Sequence, residues 1–153
     1  MRPQTFAMLS LRDPESLRTD DSVEAAVRRL LESELPALPV IDANGIYKGI
    51  FGEREFMSAL FPGYLDQLRS AAFLNRSLDE TLEKRESCRS ERVDQHMNRE
   101  HIDVGPDHSD LELAEIFLHH RVLIVPIVED RKVTGLITRA DFFQAIAERF
   151  LTR

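Results

Sequence analysis

Thr138 and Asp141 stand three residues apart where an apolar strand runs into an amphipathic helix, within Val122 to Phe143, VLIVPIVEDRKVTGLITRADFF. A threonine at a helix start can accept a hydrogen bond from the backbone N–H three residues on, and an acid at that position favours the helix dipole. Such capping is worth about 1 kcal/mol and by itself accounts for the spacing. Gly52 and Glu55 repeat the spacing earlier in the chain without the hydroxyl. The other reactive residue types form no comparable pattern. Five histidines fall between His96 and His120 at spacings that match no common ligand set, and His119 and His120 suit the dipole of a helix end. Cys88 is the only cysteine, which excludes an internal disulfide and a cysteine-based metal site, and its charged surroundings predict an exposed surface thiol. The acid pairs Asp20–Asp21 and Asp79–Glu80 sit at helix starts and read as dipole partners rather than acid–base pairs. With no Gly-rich phosphate loop, nucleophile motif or metal cluster, neither catalytic residues nor metal ligands are expected, and the chain reads as a non-enzyme.

The elements that position Thr138 and Asp141 are a two-strand unit and the helix after it. Val122 to Val128 is a continuous apolar run rich in β-branched residues, as in a strand buried on both faces. Glu129 to Lys132 make the turn, Val133 to Ile137 a second strand, and Phe142, Phe143, Ile146 and Ala147 the apolar face of the helix. The same order appears earlier. After a lead-in over Met1 to Pro14, Glu15 to Arg18 suggests a short strand, and Thr19 to Ser22 can cap a helix whose stripe is Val23, Ala26, Val27, Leu30 and Leu31. Leu35 to Ile41 and Ile46 to Phe51 are strands around the turn DANG. Gly52 to Phe61 is a helix with Phe56, Met57, Leu60 and Phe61 facing inward, ended by Pro62 and Gly63.

Ser22 aligns with Ser109 and Pro39 with Pro126 at an offset of 87 (109 − 22), and after a one-residue difference in the turn Gly49 aligns with Gly135 and Phe56 with Phe142. This is an internal duplication. Each half is too small to be more than marginally stable alone, so the two are expected to share one core about a pseudo-two-fold axis, with two equivalent clefts between them. The boundaries read as 1–61 for the first repeat with its lead-in, 62–92 for a helical insert and 93–153 for the second repeat, whose first strand is expected at Ile102 to Val104. In the insert, Tyr64 to Leu74 suggests one amphipathic helix and Glu80 to Arg92 a second, solvated one. The nine Phe and two Tyr fall mostly at helical core positions.

At 153 residues with 42% hydrophobic and 31% charged residues, the composition is that of an ordinary soluble globular protein. The net charge of −7 argues against nucleic acid as a partner and, more weakly, against an anionic membrane. No secretory signal or membrane span is legible, so a cytoplasmic location is expected.

The pieces LPVID (Leu38–Asp42) with GIFGERE (Gly49–Glu55), and VPIVE (Val125–Glu129) with GLITRAD (Gly135–Asp141), resemble the tandem CBS domain, the cystathionine β-synthase-type pair called a Bateman module. The second half fits the family's Gly-hydrophobic-hydrophobic-Thr/Ser-x-x-Asp pattern in full. The resemblance implies an α+β fold of two pseudo-symmetric repeats, each β-α-β-β-α, and a regulatory module that binds an adenosine-containing molecule in a cleft. AMP, ADP, ATP, NAD and S-adenosylmethionine are the implied ligands, and no cofactor is required. It assigns the ribose to Asp141, whose carboxylate can accept from both hydroxyls of a diol, and phosphate or ribose to Thr138 at a helix N-terminus. Arg139 is the nearest basic residue for phosphate. Leu35, Pro36 and Ala37 of the opposite half are expected to wall the adenine, and Ile102, Val122 and Leu123 complete the candidate set. Gly52 and Glu55 depart from the pattern, so their cleft is expected to be weak or empty. A homodimer formed through helices such as the Phe-rich one from Asp141 to Phe150 is expected, acting on a separate effector protein. The alternative is a ligand-free dimerisation or scaffold module.

Overall fold

The computed structural model describes residues 15–61 and 77–153. The lead-in and the expected helix at Tyr64 to Leu74 lie outside the described residues. The first repeat comprises β1 (Leu17–Arg18), α1 (Val23–Ser33), β2 (Ala37–Ile41), β3 (Tyr47–Gly52) and α2 (Glu53–Leu60). Helix α3 (Leu78–Lys84) and two 3-10 turns (Glu86–Ser90 and Val93–Gln95) follow. The second repeat is α4 (Asp110–His119), β4 (Ile124–Glu129), β5 (Lys132–Thr138) and α5 (Arg139–Leu151). Four helices start on the hydroxyl side chains of Ser22, Ser77, Ser109 and Thr138, each accepting from the backbone N–H three residues on.

The duplication extends to the pairing register. Leu17 lies opposite Val40 in the parallel pair β1–β2, and a parallel bridge sets Val104 opposite Ile127, both advanced by the same 87 positions (104 − 17 and 127 − 40). Ala37 faces Gly52 across the β2–β3 hairpin as Ile124 faces Thr138 across β4–β5. Both hairpins shift register at the matching place, Val40/Ile41 and Ile127/Val128. The strand expected at Ile102 to Val104 is reduced to that single bridge.

Each repeat has its own apolar cluster. Leu17, Val23, Leu38, Val40 and Phe51 centre the first, and Leu113, Val125, Ile127, Ile137 and Phe142 the second. A third cluster joins them: Ala37 with its counterpart Ile124, and Ile50 with its counterpart Leu136. Burying each of its larger side chains contributes roughly 1.5–3 kcal/mol, enough to hold two otherwise marginal halves together. A backbone hydrogen bond from Tyr47 N–H to the Arg131 carbonyl (2.8 Å) crosses between the halves.

Two expectations fail for identifiable reasons. The charged run Glu80 to Arg92 is not one solvated helix. Helix α3 stops at Lys84, because Arg85 folds its guanidinium onto the Ala59 carbonyl at the end of α2, with Nε at 3.0 Å and Nη2 at 2.8 Å. That draws the following turn inward, and Cys88 is 2% exposed within the first cluster together with Val93 and Met97. The inward placement of the apolar stripes is also incomplete. Leu31 (76% exposed), Met57 (52%), Phe143 (69%) and Ile146 (39%) lie on the surface. Each helix covers one face of a sheet of only two or three strands, so a broad apolar stripe leaves its edge outside. Among the described residues no helix is long and apolar enough to cross a membrane.

Candidate functional site: the clefts between the repeats

Two cavities draw on both repeats. The first, of about 690 Å³, lies between the approach to β2 (Glu34, Leu35, Pro36), helix α4 (Phe117, Leu118), Leu123 and the start of α5 (Thr138, Arg139, Phe142, Phe143). Thr138 is 5% exposed, and its Oγ1 accepts from the Asp141 N–H at 3.0 Å. That bond occupies one acceptor position of the hydroxyl, which keeps its own proton and a second lone pair, so capping and ligand contact are compatible. The Arg139 N–H donates to the Leu123 carbonyl (2.9 Å) and fastens the loop to the edge of β4. Its counterpart Glu53 donates in the same way to Pro36 (3.0 Å). Asp141 is half-buried one turn into α5 and is not among the residues lining the cavity.

The second cavity, of about 480 Å³, belongs to the first repeat's loop. Glu53, Arg54 and Glu55 face Asn98, His101, Ile102, His120, Arg121 and Val122 across it. The chemistry differs from that at Thr138. The Gly52 N–H donates to Glu55 Oε1 (3.0 Å), so the acid turns back on its own loop. Burial raises the Glu55 carboxyl above its usual range, opposed by this hydrogen bonding and by His101 and Arg54. His101 Nε2 is 2.8 Å from the Ile124 carbonyl, which assigns a proton to that nitrogen. Gly52 is sterically required. A Cβ there would lie 2.3 Å from the Pro36 carbonyl oxygen and 2.4 Å from the Ala37 Cβ, so no threonine fits without backbone movement.

Eight of the nine candidate residues divide between these cavities, and Asp141 lines neither. Thr138, Arg139, Leu35, Pro36 and Leu123 line the first; Ala37, Ile102 and Val122 line the second, which also shares Pro36 and Leu123. The pseudo-two-fold explains the division, since each loop faces the opposite repeat. The duplication maps Val122 onto Leu35, so Val122 must face the first repeat's loop just as Leu35 faces the second's. Applied throughout, that rule separates Ile102 and Val122 from Thr138 in the sequence itself. Phe117 and Phe142, whose rings stack tilted at 5.3 Å, form a wall that carries no motif and reads only as helical core.

Cys88 is not the surface thiol that its neighbours suggest. Burial raises its thiol pKa, and the Glu91 carboxylate adds to that, so it is not poised as a nucleophilic thiolate. Its Sγ, a Glu91 carboxylate oxygen and a His96 ring nitrogen lie within 4.8 Å of one another.

Comparison with known proteins agrees with the architecture. A family model described as the CBS domain matches twice, over residues 8–62 and 93–148. The CBS domain of a CBS domain-containing membrane protein from Sphaerobacter thermophilus superposes with a TM-score of 0.69 at 22% identity, covering 94% of this chain and 88% of that one. CBSX2 in complex with AMP gives 0.67 at 20% identity over 97% and 99% of the two chains. Among curated proteins, the A-adding tRNA nucleotidyltransferase of Aquifex aeolicus is 25% identical over 150 residues. The chain spans 15% of that relative's length. Paired CBS domains are generally regulatory, nucleotide-binding modules rather than catalysts. The chain belongs to the CBS domain family, as a tandem pair of repeats related by an internal pseudo-two-fold.

Proposed function

We propose that this CBS pair is a regulatory module that holds an adenosine-containing ligand in the cleft at Thr138 and transmits its occupancy to a separate effector protein. The observation that carries the reading is the buried Thr138 hydroxyl at the start of the 13-residue helix α5, within a cavity to which both repeats contribute. Its volume falls within the roughly 300–1,000 Å³ of small-molecule sites. Leu35 and Pro36 supply an apolar wall for the base and Thr138 with Arg139 the contacts for phosphate, while Asp141, outside the cavity lining one turn into the same helix, is the acceptor the family pattern offers the ribose diol. The likeness in fold to CBSX2, a protein solved with AMP, supports adenosine chemistry, with AMP, ADP, ATP, NAD and S-adenosylmethionine as the class. A ligand touching Leu35 and Thr138 together favours one arrangement of the repeats, and that difference in affinity is what an effector reads.

The exposed residues fit a homodimer. Leu31 and Met57 of the first repeat match Leu118 and Phe143 of the second under the duplication, and all four lie on the surface. Exposed apolar positions repeated by the internal symmetry suit isologous pairing with a second copy. Thermal unfolding against the ligand panel tests the reading, with Asp141→Ala in parallel. A ligand at 100 times its Kd stabilises by ~2.7 kcal/mol. A shift lost in the variant supports the sensor. No shift with any ligand leaves a scaffold, with Thr138 acting as a helix cap.

A further inference from the structure

We propose that Cys88, Glu91 and His96 form a binding site for a zinc-class divalent ion where the insert meets the first repeat. The inference is independent of the nucleotide cleft, and it replaces the expectation, drawn from a single cysteine, that no such site exists. The three residues offer one sulfur, one oxygen and one nitrogen donor, all within 4.8 Å of one another. Tetrahedral zinc takes this mixture of ligands at about 2.0–2.3 Å, which places donor atoms about 3.5 Å apart, so closure needs on the order of 1 Å of side-chain adjustment.

The backbone already holds the donors together. Glu91 N–H returns to the Cys88 carbonyl (3.1 Å), Val93 N–H is held by the Asp21 carbonyl (2.8 Å), and His96 N–H closes the next turn on Val93 (3.0 Å). Cys88 is buried, and a cavity of about 260 Å³ lined by Leu82, Arg85 and Arg89 reaches it. Without a metal, Glu91 Oε1 accepts from His96 Nε2 (3.0 Å) and Arg85 Nη2 (3.3 Å). Arg85 does not depend on that contact, because its Nε and Nη2 both donate to the Ala59 carbonyl. Glu91 can therefore turn to a metal without stranding the guanidinium. On binding, the Cys88 thiol proton leaves to solvent, and the His96 ring passes from the Nε2–H form that bonds Glu91 to the neutral Nδ1–H form, so that Nε2 is free to ligate. Metal–sulfur, metal–nitrogen and metal–oxygen bonds form, and water takes the fourth position. The thiolate and carboxylate together balance the dication, and Arg85 remains as an outlying positive charge. An ion held there pins the turn after α3 to the first repeat and to the segment entering the second.

The test is a titration of the tag-free, chelator-treated full chain with Co2+. Absorption reports a thiolate-to-cobalt charge-transfer band and the visible bands of a four-coordinate ion. The expected result is saturation at one equivalent, displacement by Zn2+, loss of the charge-transfer band in Cys88→Ser, and at least about tenfold weaker binding in His96→Gln. Because Cys88 lies in the core, the half-buried His96 provides the variant that leaves packing intact. No charge-transfer band, or undiminished affinity in His96→Gln, overturns the proposal.

Discussion

Restoring the family's threonine at position 52 perturbs the first repeat most directly. Gly52→Thr introduces a Cβ whose built position lies 2.3 Å from the Pro36 carbonyl oxygen, 2.4 Å from the Ala37 Cβ and 2.7 Å from the Ala37 Cα. None of these is the movable end of a long side chain. Two are backbone atoms, and the Glu53 N–H donates to that same Pro36 carbonyl (3.0 Å). The β2–β3 hairpin must therefore shift, and its two strands carry Ala37 and Ile50 of the cluster that joins the repeats. Overpacking of this kind costs about 1–3 kcal/mol. For a chain of this size, that lowers Tm by roughly 2–12 °C. Thermal unfolding with a urea titration in parallel measures it, the urea midpoint falling while the slope stays unchanged. A hydroxyl gained at the cost of the strand's position does not create a second nucleotide site. Unaltered stability, or adenosine-ligand binding gained in the cleft of Glu55, would refute the steric account of why glycine stands there.

Two further perturbations probe the seam and its charge. The Tyr47 hydroxyl is buried beside the joining cluster with no hydrogen-bond partner among the described residues, so Tyr47→Phe should raise stability by up to about 1–3 kcal/mol, and a loss of that size by urea unfolding would contradict the assignment. Glu55 has a folded pKa above its ordinary 4.5 because burial penalises its charge. The native state thus holds the proton more tightly than the unfolded chain, and the stability this contributes is present below pH 4.5 and lost as pH rises through the folded value. The stability of wild type relative to Glu55→Gln should therefore fall from pH 4.5 towards neutrality, and a constant or rising difference counts against it.

The fold was legible because duplication leaves its mark twice. The offset relating Ser22 to Ser109 also relates the pairs Leu17–Val40 and Val104–Ile127, and apolar strand runs bounded by polar turns left little freedom for the hairpins. Thr138 as a helix start was equally legible, since its spacing to Asp141 is a local property. The turn around Cys88 was not. Its burial depends on Arg85 reaching the Ala59 carbonyl 26 residues away in sequence, a contact that no local pattern encodes. Nor was the exposure of Leu31 and Phe143, because an apolar stripe gives a direction but not the width of the sheet that covers it. The division of the candidate residues between two cavities follows from symmetry rather than from composition, and only positions at opposite ends of the chain reveal it.

On the proposed function, one adenosine-type ligand binds at the Thr138 cleft and none at the Glu55 cleft. Equilibrium dialysis with labelled AMP measures this directly on the wild type, Asp141→Ala and Glu55→Ala proteins. Saturation is expected at one AMP per chain, abolished by Asp141→Ala and unchanged by Glu55→Ala. Two AMP per chain, loss of binding in Glu55→Ala, or no retention by the wild type of AMP or of any other ligand of the class would contradict it.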